Sequence, residues 1–179
     1  MKIAFVVSIL IASAALVQSA TMKAIIAHQY GGPEVLKLED IPIPTPKDDE
    51  MLVKVFGAGV NSFDGTLRLG RFANRGTQLP WHPGYDIAGL VEKLGGKVTK
   101  FKAGDAVYAF IPFLKGGGYA EYAIARESDA ALKPATINFI EAAGAPSVAL
   151  TAWQAIVDKA NVQSGQTMLI HGASGGVGM

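Results

Sequence analysis

The stretch Thr167-Met-Leu-Ile-His-Gly-Ala-Ser-Gly-Gly-Val-Gly-Met179 joins a short apolar run to a glycine-rich turn. Residues 167–170 are apolar and few, which predicts a buried strand. Gly172, Gly175 and Gly178 follow, with two residues between successive glycines. A glycine turn directly after a strand is how a doubly wound α/β domain presents backbone N–H groups to a pyrophosphate. The sequence therefore predicts the first strand and the phosphate turn of such a domain, without the helix and strands that complete it.

The residues ahead of this turn show a different pattern, typical of β structure. Short alternating runs are separated by turn residues at intervals of about 8–15 residues, which favours an antiparallel barrel or sandwich. From Asn138 the hydrophobic period changes to that of helices. The predicted strands are Met22–Ala27, Leu36–Ile41, Met51–Phe56, Asp86–Leu94, Gly104–Phe110, Tyr119–Ala125 and Thr167–Ile170, and the predicted helices are Asn61–Leu69, Asn138–Ala143 and Val148–Ala160.

The N-terminal residues have the plan of a secretory signal. Lys2 precedes an almost unbroken apolar run, Ile3–Val17, and small residues follow it. The run is shorter than the roughly 20 residues of a membrane-spanning helix. The sequence thus predicts export, with residues 1–20 as signal peptide and no stable membrane insertion after cleavage. A retained anchor, and a cytoplasmic protein that starts at Met22, remain as alternatives.

Charge and cysteine content exclude several classes of partner and site. Removal of the signal takes away Lys2 and no acidic residue, so the formal net charge falls from +1 to zero. A neutral chain without runs of like charge argues against nucleic acid or an anionic membrane as partner. The chain has no cysteine, which excludes disulfides and thiolate zinc sites.

Several motifs in a fixed order resemble one known family. They are Met22-Lys-Ala-Ile with Gly32-Pro-Glu-Val-Leu36, Gly59-Val-Asn-x-x-Asp64, Pro83-Gly-x-Asp-x-Ala-Gly89, Gly104-Asp-x-Val-Tyr108, Gly118-Tyr-Ala-Glu-Tyr122, Ala149-Leu-Thr-Ala-Trp153 and the glycine turn. Together they resemble the zinc-independent quinone oxidoreductase branch of the medium-chain dehydrogenase/reductase superfamily. The resemblance runs from Met22 to Gly178, so residues 1–21 are an addition to the family pattern.

The resemblance implies a mainly β fold with two parts. Residues 22–145 are expected to form a GroES-like barrel with flanking helices. Residues 146–179 are expected to supply the linking helix, first strand and glycine turn of a truncated Rossmann α/β domain. The family binds NADPH in the cleft between its two domains, so NADPH is the expected cofactor of the full-length parent, with weak or absent binding by this chain.

The resemblance also implies roles for particular residues. Asn61 is expected at the hydride-transfer cleft, where it can donate to a substrate oxygen, and Tyr85 can line the pocket or donate a proton. Asp64 and Asp86 are expected to order loops. Gly65 replaces a bulky residue of the family, which changes the expected pocket shape. The implied catalytic residues are Asn61 and Tyr85, and the implied cofactor ligands are Asn61, Thr151, Gly172, Ser174, Gly175, Gly176 and Val177.

Each of these residues also has a purely structural interpretation. Thr151 can be a helix-interior threonine that bonds back to a carbonyl. Asn61 and Asp64 can be the cap and first-turn acid of a short helix. Tyr85 can be a packed barrel tyrosine, and both tryptophans, at positions 81 and 153, are expected in the core.

No metal is expected. Zinc members of the superfamily use Cys, a His-Glu pair and a second Cys or Asp, and the matching stretches here contain neither thiolate nor histidine. The three histidines, His28, His82 and His171, are far apart in sequence.

The resemblance implies NADPH-dependent, zinc-independent reduction of a quinone or enone by the full-length parent, this chain being an inactive N-terminal portion. A non-catalytic binding or assembly domain, and a gene fragment without independent function, are the alternatives. A homo-oligomer remains open.

Overall fold

The computed structural model describes residues 20–75 and 78–179. The predicted signal peptide lies outside the described residues apart from Ala20, and export stays a prediction. Among the described residues, no helix has the length and apolar character needed to cross a membrane. The strands are β1 Thr21–Ala27, β2 Leu36–Pro42, β3 Glu50–Gly59, β4 Asp86–Leu94, β5 Ala106–Phe110, β6 Tyr122–Arg126 and β7 Ala130–Leu132, and the α-helices are α1 Ser62–Arg68, α2 Phe139–Ala143 and α3 Pro146–Trp153.

The strands form two antiparallel sheets, so the prediction of a mainly β fold is confirmed. β1 pairs with β2, and the larger sheet has the order β6-β3-β4-β5-β7. Bridges from Ala24 to Ala120 and from Ala27 to Trp81 connect the hairpin to the rest of the chain. These contacts place Ala120 and the Trp81 loop beside β1.

Burial alternates along β5 and β6 as the sequence pattern predicts, whereas β3 and β4 each begin with four consecutive buried residues. Met51 and Val53 of β3, Ile87 of β4 and Val107 of β5 are fully buried in one cluster. A second cluster packs Leu67 of α1 against Ala27, Trp81 and Tyr85. Burial of these side chains supplies the main stabilisation of the sheets and fixes α1 against them.

α2 lies directly on β3 because two glycines leave room for it. A Cβ added at Gly57 would lie 2.7 Å from the carbonyl oxygen of Phe139, and one at Gly59 would lie 2.5 Å from that of Ala143. The register between β3 and β4 shifts between Val55 and Gly57, and pairing then continues to Gly59 opposite Asp86. The extension brings the end of β3 to the start of β4.

Two short helices start at asparagines. Asn61 has extended backbone and precedes α1, and the Asp64 carboxylate accepts the Asn61 backbone N–H at 2.8 Å. Asn138 caps α2, since its side chain accepts the backbone N–H of Glu141 at 2.9 Å. Both starts agree with the preference of asparagine for this position.

The prediction of a strand at Thr167–Ile170 is wrong, because these residues form neither strand nor bridge. Leu169 is 80% exposed, and Met168 and Ile170 are also exposed. A parallel strand that is apolar on both faces needs neighbouring strands and covering helices. No strand among the described residues pairs with this run, so it remains irregular.

The C-terminal helical region also differs from its prediction. α3 ends at Trp153 and continues as a π-helical segment, Gln154–Lys159. Trp153, expected in the core, is 60% exposed, whereas Trp81 is buried. The side of α3 that carries Trp153 has no covering layer among the described residues.

Candidate functional site

A buried carboxylate at the start of β4 joins the barrel to the linking helix. Asp86 is 1% exposed. Its Oδ2 accepts from Asn61 Nδ2 at 2.7 Å and from Ser147 Oγ at 2.5 Å. Its Oδ1 accepts the Ser147 backbone N–H at 2.8 Å. The Asp86 network, defined as Asp86, Asn61 and Ser147, thus satisfies both carboxylate oxygens with neutral donors.

These contacts fix the orientation of the Asn61 amide. Nδ2 faces the carboxylate, because an amide oxygen there would meet a second acceptor. Asn61 Oδ1 lies 3.3 Å from Ser147 Oγ. The single Ser147 hydroxyl proton serves the shorter bond to Asp86, so Asn61 Oδ1 and the second amide N–H remain available to a ligand.

A second buried carboxylate, Asp64, lies in the first turn of α1. Asp64 Oδ2 accepts the Tyr119 hydroxyl at 2.7 Å in addition to the Asn61 backbone N–H. Its Oδ1 is buried and has no hydrogen-bond partner among the described residues. Burial raises the pKa of Tyr119 well above its usual range, and the hydrogen bond to Asp64 is the second-largest cause of this increase. Tyr119 therefore holds its proton at neutral pH and acts as a donor to Asp64.

An apolar cavity of about 330 Å³ adjoins both carboxylate groupings. Leu36, Trp81 and Pro83 provide much of its wall. Asn61, Asp64 and Tyr119 also line it. A cavity with apolar walls and a few polar lining groups suits a small, ring-shaped apolar ligand that carries polar groups at its edge.

Tyr85 lies in the core beside this cavity's wall. Its side chain is 2% exposed, and its hydroxyl oxygen accepts from Trp81 Nε1 at 2.9 Å. Burial raises the pKa of Tyr85 to about 12, against the opposing effect of the Trp81 bond. This placement agrees with the interpretation as a packed tyrosine, and it does not bring Tyr85 to the Asp86 network.

We expect Tyr85 and Tyr119 to ionise later than an ordinary phenol in a spectrophotometric titration. Because the folded-state pKa lies above the unfolded value of about 10, the native state keeps protons that the unfolded state releases. The associated stability is fully present below pH 10, the usual value, and for Tyr85 it is lost as the pH rises through about 12. Tyr85→Phe and Tyr119→Phe should each remove part of the late phase.

One result of this titration would contradict the prediction. If all five tyrosines of the chain ionised in one step near their ordinary pKa while the protein stayed folded, the burial of these two hydroxyls would be wrong.

Thr151 follows Ser147 by one helical turn. Its hydroxyl donates to the Ser147 carbonyl oxygen at 2.7 Å, and the residue is exposed. The back-bond is the structural interpretation considered above, but the Thr151 oxygen still has lone pairs for a ligand. Asn61 and Thr151 are therefore connected through one residue, Ser147.

The predicted phosphate turn does not have the expected form. Gly172 adopts positive φ, and the N–H of Gly175 bonds to the Gly172 carbonyl at 2.9 Å. The N–H groups of Gly178 and Met179 bond to the Gly175 carbonyl. Three amide groups of the turn are thus engaged inside it, and within the part of the chain that the structure describes neither a strand nor a helix adjoins the turn. The assignment of Ser174, Gly176 and Val177 to cofactor binding stays a prediction.

No group of three or more His, Asp or Glu side chains suited to a metal ion occurs in the described parts of the chain. Burial lowers the pKa of His82, and His28 bonds to Glu39 at 2.8 Å on the surface. Asp86 uses both of its carboxylate oxygens within its network.

Sequence reasoning missed two members of the site. Ser147 carries no motif signal, and it reaches Asp86 from 61 positions away. Tyr119 stands in a quoted motif, but nothing local connects it to Asp64, 55 positions earlier. The sequence signal near Ser147 is Pro146, because proline marks the start of a helix. The backbone N–H groups at a helix start need a hydrogen-bond acceptor from elsewhere in the chain.

Comparison with known proteins places this arrangement in a family. Residues 47–135 match the alcohol dehydrogenase GroES-like domain. The chain is 42% identical over 159 residues to a quinone oxidoreductase of Pongo abelii, covering 88% of this chain and 47% of that protein. It is also 42% identical over 164 residues to the chloroplastic NADPH-dependent alkenal/one oxidoreductase of Arabidopsis thaliana, covering 88% of this chain and 42% of that protein.

A solved structure agrees with these relatives. The quinone oxidoreductase of Coxiella burnetii superposes with a TM-score of 0.79 at 38% identity, over 89% of this chain and 51% of that one. The chain belongs to the medium-chain dehydrogenase/reductase family and carries the N-terminal portion of its quinone oxidoreductase branch. It spans about half the length of the curated relatives it matches.

Proposed function

We propose that this chain supplies the barrel side of an NADPH-dependent enzyme that reduces quinones or enones without zinc. The observation that carries the proposal is the apolar cavity lined by Asn61, Asp64 and Tyr119. A conjugated ketone is a small, largely apolar molecule with an oxygen at its edge, which suits that cavity. The names of the relatives support the same substrate class, since they include quinone and alkenal/one oxidoreductases.

The residues on the barrel side fit one end of the cofactor. Asn61 offers Oδ1, and Thr151 offers a hydroxyl oxygen. These groups suit the carboxamide or ribose of a nicotinamide nucleotide, which carries both donors and acceptors. The glycine turn in its observed form does not fit the diphosphate, since its N–H groups bond within the turn.

NADPH supplies the hydride when it is bound. The second amide N–H of Asn61 donates to the oxygen on which negative charge develops. The apolar wall at Leu36, Trp81 and Pro83 excludes water from the reacting carbon. Asp64 and Tyr119 hold the N-terminal end of α1, and therefore the Asn61 backbone, in place.

A non-catalytic binding or assembly domain is the second candidate. The observation that favours it is the closed glycine turn together with the exposed run around Leu169. An apolar surface of this kind invites association with another polypeptide. In this case the cavity would bind an apolar ligand without turnover.

We expect a protein that joins this barrel to a complete cofactor domain to oxidise NADPH with a quinone, at a rate that a zinc chelator leaves unchanged. The 179-residue chain by itself should bind NADPH with a dissociation constant on the order of millimolar or weaker. The reason is that the turn lacks open N–H groups and the dipole of a following helix. Calorimetry and absorbance assays measure both quantities.

The outcomes separate the candidates. Loss of activity on chelation would contradict the zinc-free mechanism. Absence of NADPH oxidation in the complete protein would contradict catalysis and favour the binding domain. Micromolar binding by the short chain, with turnover, would show that the turn is a working cradle.

A further inference from the structure

We propose that Asp86 is a positioning residue that attaches α3 to the barrel and sets the orientation of the Asn61 amide. The proposal rests on the proposed function only where it concerns NADPH. Its structural part stands on the three hydrogen bonds of the Asp86 network, which join residues far apart in the chain.

The attachment of α3 follows from the position of Ser147. Pro146 begins the helix and has no N–H, so Ser147 carries the first free amide group of the helix. Asp86 accepts that amide and the Ser147 hydroxyl from across the interface. A carboxylate at this place also interacts favourably with the helix dipole. Removal of the carboxylate therefore frees the start of α3 from β4.

The orientation of Asn61 follows from the same carboxylate. An ionised carboxylate only accepts, so it holds the Nδ2 side of the amide towards itself. If residue 86 became an amide, its own NH2 group would compete, and the Asn61 side chain would have to rotate. Asp86 thereby decides which atoms of Asn61 face a ligand.

The test compares Asp86→Asn, the reversed pair Asp86→Asn with Asn61→Asp, and Asp40→Asn as a matched control. Asp40 is an exposed carboxylate that bonds to Lys23 on the surface. In the reversed pair, the new amide at position 86 can donate to the new carboxylate at position 61 and still accept the Ser147 amide. The contacts of residue 86 with residue 61 and with the Ser147 hydroxyl can form again with the opposite polarity, and the bond from the Ser147 backbone N–H keeps its direction.

Hydrogen exchange of the Ser147 amide in the 179-residue chain is the deciding measurement. Asp86→Asn should exchange about 10-fold faster, because a neutral amide oxygen replaces the charged acceptor and the new NH2 group faces the NH2 group of Asn61, so the bond to the Ser147 amide is weakened. The reversed pair should recover most of that loss, and Asp40→Asn should match the wild type. An unchanged rate in Asp86→Asn, or no recovery in the reversed pair, would overturn the proposal.

A second variant and a measurement on the complete protein keep the proposal testable if Asp86→Asn does not fold or if NADPH does not bind. If Asp86→Asn does not fold, Ser147→Ala keeps the backbone bond and removes the hydroxyl, and it should accelerate exchange of the α3 amides by a smaller factor; no acceleration would contradict the attachment. In the complete protein, the reversed pair should restore exchange protection but not NADPH affinity, because the Asn61 amide is lost. If the wild-type complete protein did not bind NADPH, the proposed function would fail, while the exchange rates would still decide the role of Asp86.

Discussion

Leu67→Ala is expected to lower the free energy of unfolding by about 2–5 kcal/mol. Leu67 is fully buried in α1 and packs with Ala27, Trp81 and Tyr85. The substitution removes apolar atoms from the core and leaves a cavity, because the surrounding strands and rings cannot collapse fully. Alanine and leucine have similar helix propensities, so the effect reports packing. Urea denaturation followed by Trp fluorescence measures it.

Leu150→Ala is the matched control for this prediction. Leu150 also lies in an α-helix, but it is 48% exposed. Its replacement should change the free energy of unfolding by less than about 1 kcal/mol. Equal losses for the two leucines would show that α1 is not packed on the barrel as described.

Gly59→Ala is the second substitution expected to have a large effect, a loss of about 1–3 kcal/mol. The new Cβ would lie 2.5 Å from the Ala143 carbonyl oxygen and 2.9 Å from Asp86 Cβ. Both neighbours belong to packed backbone or a fully buried side chain, so neither can move easily. We expect α2 to separate from β3, with loss of protection for the amides of both elements in hydrogen exchange.

Gly65→Ala provides the control with the opposite sign. Gly65 lies inside α1, and a Cβ added there meets nothing within 4 Å. The substitution should raise the free energy of unfolding by about 0.5–1 kcal/mol, because alanine is the better helix former. A similar change in both variants would contradict the close approach of α2 to β3.

The strand predictions succeeded where an apolar or alternating run is bounded by turn residues. Asp86–Leu94 has the predicted bounds, and the β1–β2 hairpin agrees within a residue at each end. β3 runs three residues beyond its predicted end at Phe56, to Gly59. Glycines carry no hydrophobic signal, so the pattern could not show that pairing with β4 continues after the bulge.

The C-terminal predictions failed because they depended on partners. Residues 167–170 have the composition of a buried parallel strand, but composition does not provide a neighbouring strand. β7 shows the opposite case, a strand that has a pairing partner but no sequence signal. Its three residues, Ala130–Leu132, have little alternation, and they form a strand because they pair with β5.

The sequence by itself determined the turns, most of the strands and the asparagine starts of α1 and α2, because these depend on backbone preferences and contacts within a few residues. Only the tertiary structure decided the site. Asp86 meets Asn61 and Ser147 from 25 and 61 positions away, and no local pattern encodes such distances. These polar groups pair because the end of β3 lies beside the start of β4, and α2 places the start of α3 next to both. A buried carboxylate is stable only when hydrogen-bond donors contact it.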